Sequence, residues 1–210
     1  ASKFALGVIG DHEVPSDPAT ATIDAPLDRA LLAALADLVD DATNAFEQYD
    51  YARALERTER FFWGYCDDYI ELVKRRRGRD DAGAASGNQA AQAALSVLLR
   101  LFAPFLPFVT EEVWSWWQDG SVHRAPWPTV ADLSTHAGDD DALYARAQAI
   151  TGAIRQERSV QKLGFSVPVT LRLTGVDAGT WAAVARDVIE GNNVVAEPVV
   201  VGGVSLDSPR

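Results

Sequence analysis

The chain has 210 residues, 48% of them hydrophobic and 23% charged, with a formal net charge of −11. That length suits one large domain or two small ones with ordinary globular cores. No apolar run approaches the roughly 18 residues of a membrane span, no basic-then-apolar leader opens the chain, and the single cysteine, Cys66, excludes an internal disulfide and a cysteine-based zinc site. These features predict a cytoplasmic protein without a membrane partner. Methionine is absent, even at position 1, and Ala1 to Leu6 read as a helix already under way. Both fit a stretch of a longer protein.

Charge is unevenly spread. Residues 1–50 hold ten acids and two bases, whereas 51–80 hold eight bases and six acids, with Lys74, Arg75, Arg76 and Arg77 in a row. From Arg146 to Arg172 there are five bases and one acid, Glu157. A phosphate backbone responds to local potential, so a globally acidic chain can still offer basic patches to RNA.

In chain order, residues 10–26 read as a loop rich in Pro, Asp and Thr, with Asp24 as cap and Pro26 in the first turn of the helix that follows. Leu27, Leu31, Leu35, Leu38, Ala42 and Ala45 recur every three or four residues and make one apolar stripe. A second helix is predicted over 50–77, with Leu55, Phe62, Cys66, Tyr69 and Val73 inside and the four bases in its last turn. Gly78 to Gly87 read as a loop and 88–102 as a third helix. Pro107 opens a short helix capped by Thr110, and an irregular strap carries Trp127 between two prolines.

The apolar pattern then changes. Asp139 to Arg158 reads as a helix with Arg146, Arg155 and Arg158 outward, Val167 to Leu173 as a half-buried strand, Ala178 to Glu190 as a helix, and Pro198 to Leu206 as a hairpin folded at Gly202-Gly203. The predicted fold is mainly α: an antiparallel helix bundle over 1–135, then a small α+β unit over 139–210. No local constellation supports catalysis. His12, His123 and His136 are scattered without metal-ligand spacing, and Asp139 to Asp141 suit a helix start.

The segment FFWGYCDDYIELVK, residues 61–74, reads by periodicity as core. It also closely resembles the signature helix of the anticodon-binding bundle in class I aminoacyl-tRNA synthetases of the valyl and isoleucyl type. ASKFAL, PLDRALLAALADLV, FEQYDYARALE, LLRLFAPFLPFVTEEVWSWW and APWP resemble further stretches of that family in the same order, over about residues 1–130. Cys66-Asp67 and the motif order favour the valine-specific branch over the isoleucine one. The family's His-Ile-Gly-His and Lys-Met-Ser-Lys-Ser motifs, which bind ATP, are absent, as is an editing domain. Residues 139–210 lack the heptads of the coiled-coil arm found in many members.

The resemblance implies that this stretch holds the anticodon arm of tRNA(Val), while a catalytic domain elsewhere in a monomeric parent activates valine with ATP and magnesium. The stretch itself should carry no cofactor and should not aminoacylate. Bundle geometry would bring Arg29 and Lys74, Arg75, Arg76 and Arg77 to the end distal from that catalytic domain, with Lys3 and Phe4 from the preceding helix, against anticodon bases. Arg155, Arg158 and Lys162 would meet backbone phosphates. Since 75–77 lie beyond the apolar stripe, folding is expected to survive their replacement by alanine. The competing reading is a helical protein-interaction module that never touches RNA.

Overall fold

In a computed structural model the chain is described over residues 23–79, 81–134, 142–173, 175–200 and 205–207. The expected first helix with Lys3 and Phe4, most of the 10–26 loop, and the 135–139 boundary lie outside the described residues.

Helix α1 (Pro26–Glu47) buries all six positions of the predicted stripe. Its cap is Ala25 rather than Asp24, and no side chain caps it. The amides of Asp24 and Ala25 instead donate to Ser86 Oγ at 3.2 and 3.1 Å. Pro at the first helical position needs no donor partner, which suits this start. The chain reverses at Tyr49, whose φ of 61° is left-handed. Asp50 N donates to Ala45 O at 2.8 Å across it, closing a Schellman-type end.

The predicted second helix forms as one rod with a fault. Helix α2 (Tyr51–Gly64) is capped by Asp50, which accepts from Arg53 N. A π-turn follows over Tyr65–Tyr69 and then α3 (Ile70–Arg77). A π-turn adds one residue to the turn and so rotates the buried stripe. The buried apolar and hydroxyl residues are therefore Ala54, Thr58, Tyr65, Tyr69, Ile70, Leu72 and Val73, with Leu55, Phe62 and Cys66 only half-buried.

Helix α4 (Ala82–Phe102) begins six residues earlier than the predicted 88, because Asp81 accepts from Ala84 N and caps it. The expected flexible loop is thus mostly helix. Helix α5 (Pro107–Ser115) follows. Thr110 does not cap it: its hydroxyl donates to Leu106 O at 2.8 Å. In the strap, Trp127 Nε1 donates to Thr43 Oγ1 at 2.9 Å and its ring meets Phe46 edge-on at 5.0 Å. A short helix α6 (Ala131–Ser134) ends this part.

Helix α7 (Leu143–Val160), β1 (Val169–Leu173), α8 (Ala178–Gly191), β2 (Val194–Val200) and β3 (Ser205–Asp207) make the α+β part. The strand order is β2-β1-β3, with β2 parallel to β1 and β3 antiparallel to it. The predicted hairpin is corrected here: β2 and β3 flank β1 instead of pairing, since α8 supplies the crossover that a parallel β1–β2 pair requires. This sheet is not a separate core. Leu143, Ile150, Ile154, Val169 and Val188 belong to one hydrophobic cluster with Leu27, Leu35, Tyr69 and Leu98.

The two parts approach closely, backbone to backbone, at Gly191. A Cβ there would lie 3.0 Å from Leu72 Cα and 3.2 Å from Glu71 O, both backbone atoms that cannot swing aside. Gly191→Ala is expected to cost about 1–3 kcal/mol through this overpacking. A urea midpoint equal to wild type would show that α8 can shift off α3.

Candidate functional site

The start of α1, the end of α3 and the start of α4 meet at one end of the bundle, joined by a buried polar network. Asp28 is fully buried in the first turn of α1. Arg76 donates to both its oxygens, Nη2 to Oδ1 at 2.6 Å and Nη1 to Oδ2 at 2.9 Å. Tyr69 hydroxyl donates to Oδ1 at 2.9 Å and Ser86 hydroxyl to Oδ2 at 2.7 Å. Arg76 also donates through Nε to Asp187 of α8 at 2.8 Å and through Nη1 to Gly83 O at 2.7 Å. Carboxylates on both sides push the Arg76 pKa up despite its burial. A charge taken this far from water needs such satisfaction. One arginine thus ties four helices together.

This network corrects part of the predicted RNA surface. Arg76 and Arg77 are 4% and 2% exposed. Arg76 is held as above, and Arg77 Nε donates to Asn88 Oδ1 at 2.8 Å, with burial pulling its pKa down. Neither guanidinium faces solvent, because α8 and the glycine-bearing start of α4 close over them: a Cβ at Gly87 would lie 3.1 Å from Arg77 Cγ. Arg29 is half-buried on α1 at the same end, and Lys74 and Arg75 are exposed. Lys74 Nζ lies 3.4 Å from Glu71. Arg29 lies in the first turn of α1 and Lys74 and Arg75 in the last turn of α3, at the same end of the bundle. Arg79, which pairs with Glu190, joins them there.

The second predicted patch dissolves further. Arg155 Nη1 lies 2.5 Å from Asp68 Oδ1, and its Nη2 donates to Asp67 O on the π-turn. Arg158 points inward, not outward as expected, and is 3% exposed. It donates to the carbonyls of Gly164, Val167 and Asn192 at 3.0, 2.9 and 2.7 Å, closing the chain between α7 and β1. Burial lowers its pKa. Only Lys162 is exposed, in a left-handed turn with φ 55°.

The signature segment is explained by packing. Tyr65 and Tyr69 are buried with their rings stacked at 5.9 Å. Tyr65 hydroxyl donates to Ala91 O at 2.8 Å. Asp68 also accepts from Gln148 of α7 at 2.9 Å. A Cβ at Gly64 would lie 2.5 Å from Gln148 Nε2, so glycine admits that side chain. Cys66 is a half-buried thiol whose pKa burial raises to about 11, which leaves it a poor nucleophile. The segment is a dock for α7.

Among the described residues no group of His, Cys, Asp and Glu could hold a metal ion, and no helix is long and apolar enough to cross a membrane.

Residues 28–173 match the family model described as the anticodon-binding domain of tRNA ligase. Over 171 residues the chain is 55% identical to the valine–tRNA ligase of Thermobifida fusca, covering 80% of this chain and 19% of that protein. It is 48% identical over 193 residues to that of Salinispora tropica, covering 81% and 22%. Against that of Cutibacterium acnes it is 43% identical over 213 residues, covering 98% and 24%. The chain spans about a fifth to a quarter of the length of these curated relatives.

Proposed function

The chain belongs to the family of anticodon-binding domains of tRNA ligases, and from that premise we propose that it holds the anticodon arm of a valine tRNA within a valine–tRNA ligase. The observation that carries this reading is the bundle end where half-buried Arg29 and exposed Lys74 and Arg75 lie on helix ends tied together by a buried ion-pair network. Cations at the end of a rod suit phosphates and splayed-out loop bases. That these relatives are valine–tRNA ligases supports valine as the amino acid. The chain's own residues do not fit ATP: it carries neither nucleotide-binding motif of the class. Activation of valine with ATP and magnesium would belong to another part of the parent, and this stretch would contribute position and discrimination.

The test is a titration of transcribed valine tRNA against wild type and the Lys74→Ala/Arg75→Ala variant at several salt concentrations, with a tRNA of altered anticodon as control. The variant is expected to bind more weakly at low salt and to flatten the salt slope by up to about two units, one per lost phosphate contact. Its fold should be unchanged, because both side chains are exposed and the Lys74–Glu71 pair is worth little at the surface. Equal binding by both proteins at every salt would remove this end from the site. Loss of discrimination between the two tRNAs in the variant places it at the anticodon.

A further inference from the structure

A cleft of about 400 Å³ lies between α1, α2 and α7, along the side of the bundle. Its charges are sorted by helix. Asp37 and Asp41 come from α1, one turn apart on one face, and Arg57 and Arg60 come from α2, also on one face. The turn at Tyr49 makes α1 and α2 antiparallel, so these charges meet in order across the cleft. Asp41 closes with Arg57, Oδ2 to Nε at 3.4 Å, and with Arg53. One turn further along, the ladder stays open. Asp37 is exposed and makes no ion pair among the described residues, and Arg60 pairs only with Glu56 of its own helix, at 2.5 Å. The cleft is otherwise apolar there. Leu38 lines it with the rings of Phe61 and Tyr144, whose centroids lie 6.0 Å apart. Gln148 of α7 also lines it and is held in place, since its Nε2 donates to Asp68.

We propose that this cleft binds a small amphipathic zwitterion, of the class of a free amino acid with an aromatic side chain. The ammonium takes Asp37, the carboxylate takes Arg60, and the apolar part lies against Leu38, Phe61 and Tyr144. The inference goes beyond the tRNA reading and does not depend on it. Three features select this class. The two acids and two bases of the lining cancel, so neither a polyanion nor a polycation is favoured there. The two charges left open sit on different helices. A ligand with a single charge leaves one of them unmet, whereas a zwitterion meets both through charge-assisted hydrogen bonds. Apolar walls with a few polar groups, pre-formed by packing, are the ordinary make-up of a small-molecule site, and this cleft falls at the small end of their range. Drawing Arg60 away from Glu56 costs little, because that pair is exposed.

A titration of L-phenylalanine into the isotope-labelled 210-residue chain, followed by amide chemical shifts, tests the proposal. The amides of Ala34, Leu38, Phe61 and Ala145 are expected to shift and saturate with a Kd on the order of 1 mM, as suits a ligand of this size in an open cleft. Those of 90–98 should stay in place. Three analogues separate the charges: phenethylamine has only the cation, phenylpropionate only the anion, and N-acetyl-phenylalanine amide neither. Each should bind at least about tenfold more weakly than the amino acid. Asp37→Asn should cost about tenfold for phenylalanine and leave phenylpropionate unchanged, and Arg60→Gln should cost the same for phenylalanine and leave phenethylamine unchanged. Both side chains are exposed, so both variants should fold as wild type does. Absence of saturating shifts up to about 50 mM overturns the proposal. So does equal binding of the uncharged analogue, which means a bare apolar cleft, or of phenethylamine, which means that Arg60 is idle. Unchanged affinity for phenylalanine in both variants overturns it as well.

Discussion

Arg76→Ala is expected to lower folding stability by about 3–5 kcal/mol, a large share of the roughly 5–15 kcal/mol that holds an ordinary domain folded. The loss comes from what stays behind. Asp28 is fully buried and Asp187 nearly so, and both would lose the guanidinium they share. Burial already raises the Asp187 pKa, and Arg76 is the counterweight that lowers it. Tyr69 and Ser86 would still donate to Asp28, but two neutral hydroxyls cannot replace a bidentate guanidinium. Arg75→Ala, one residue earlier and exposed, should stay within about 0.5 kcal/mol of wild type. Urea denaturation of both variants decides it. A midpoint for Arg76→Ala as close to wild type as that of Arg75→Ala would mean the network is dispensable. The expectation that folding survives replacement of all three of 75–77 by alanine meets the same objection, since two of the three are interior.

That error shows where reading a sequence stops. A run of four bases at the end of a helix satisfies the dipole argument whether it faces water or protein. What turns Arg76 and Arg77 inward is α8, more than a hundred residues away, and the early start of α4 under Asp81. Nothing local to 74–77 announces either. The same holds for Arg158, whose partners are three backbone carbonyls brought together by the chain entering and leaving the sheet. By contrast, the α1 stripe, the breaks at Pro107 and Gly78, and the strand at 169–173 follow from apolar period and turn chemistry within their own segments, and these were readable. The π-turn was not, because one extra residue in a turn leaves composition unchanged. Its trace lay in the buried stripe moving from the Phe62–Cys66 line to Tyr65 and Tyr69. The hairpin at Gly202-Gly203 failed for a topological reason: flanking glycines predict a reversal, not which strand the returning chain will pair with.

The buried tyrosines give the steepest pH dependence expected of this chain. Tyr65, Tyr69 and Tyr144 are each under 5% exposed, and burial is the main force pushing all three phenols above their ordinary range. The charge of Asp28 pushes Tyr69 further, and that of Asp68 pushes Tyr144 further. An unfolded tyrosine ionises near pH 10. Below that pH all three are neutral in both states, and their contribution to stability is fully present. Above it the unfolded chain sheds three protons that the folded chain keeps. Stability should then fall by about 4 kcal/mol per pH unit from these groups, with Cys66 adding to the slope until its folded pKa of about 11. Urea midpoints measured at steps from about pH 8 to 11, alongside tyrosinate absorbance in the native state, test this. The native absorbance should omit the three buried rings. Tyr144→Phe sharpens the test, because the Tyr144 hydroxyl is buried with no hydrogen-bond partner among the described residues. Removing it should leave neutral-pH stability equal or higher and make the alkaline slope shallower by about 1.4 kcal/mol per pH unit. A slope unchanged in Tyr144→Phe, or native tyrosinate absorbance that counts all five rings at about pH 11, would show that these phenols reach water in the folded state.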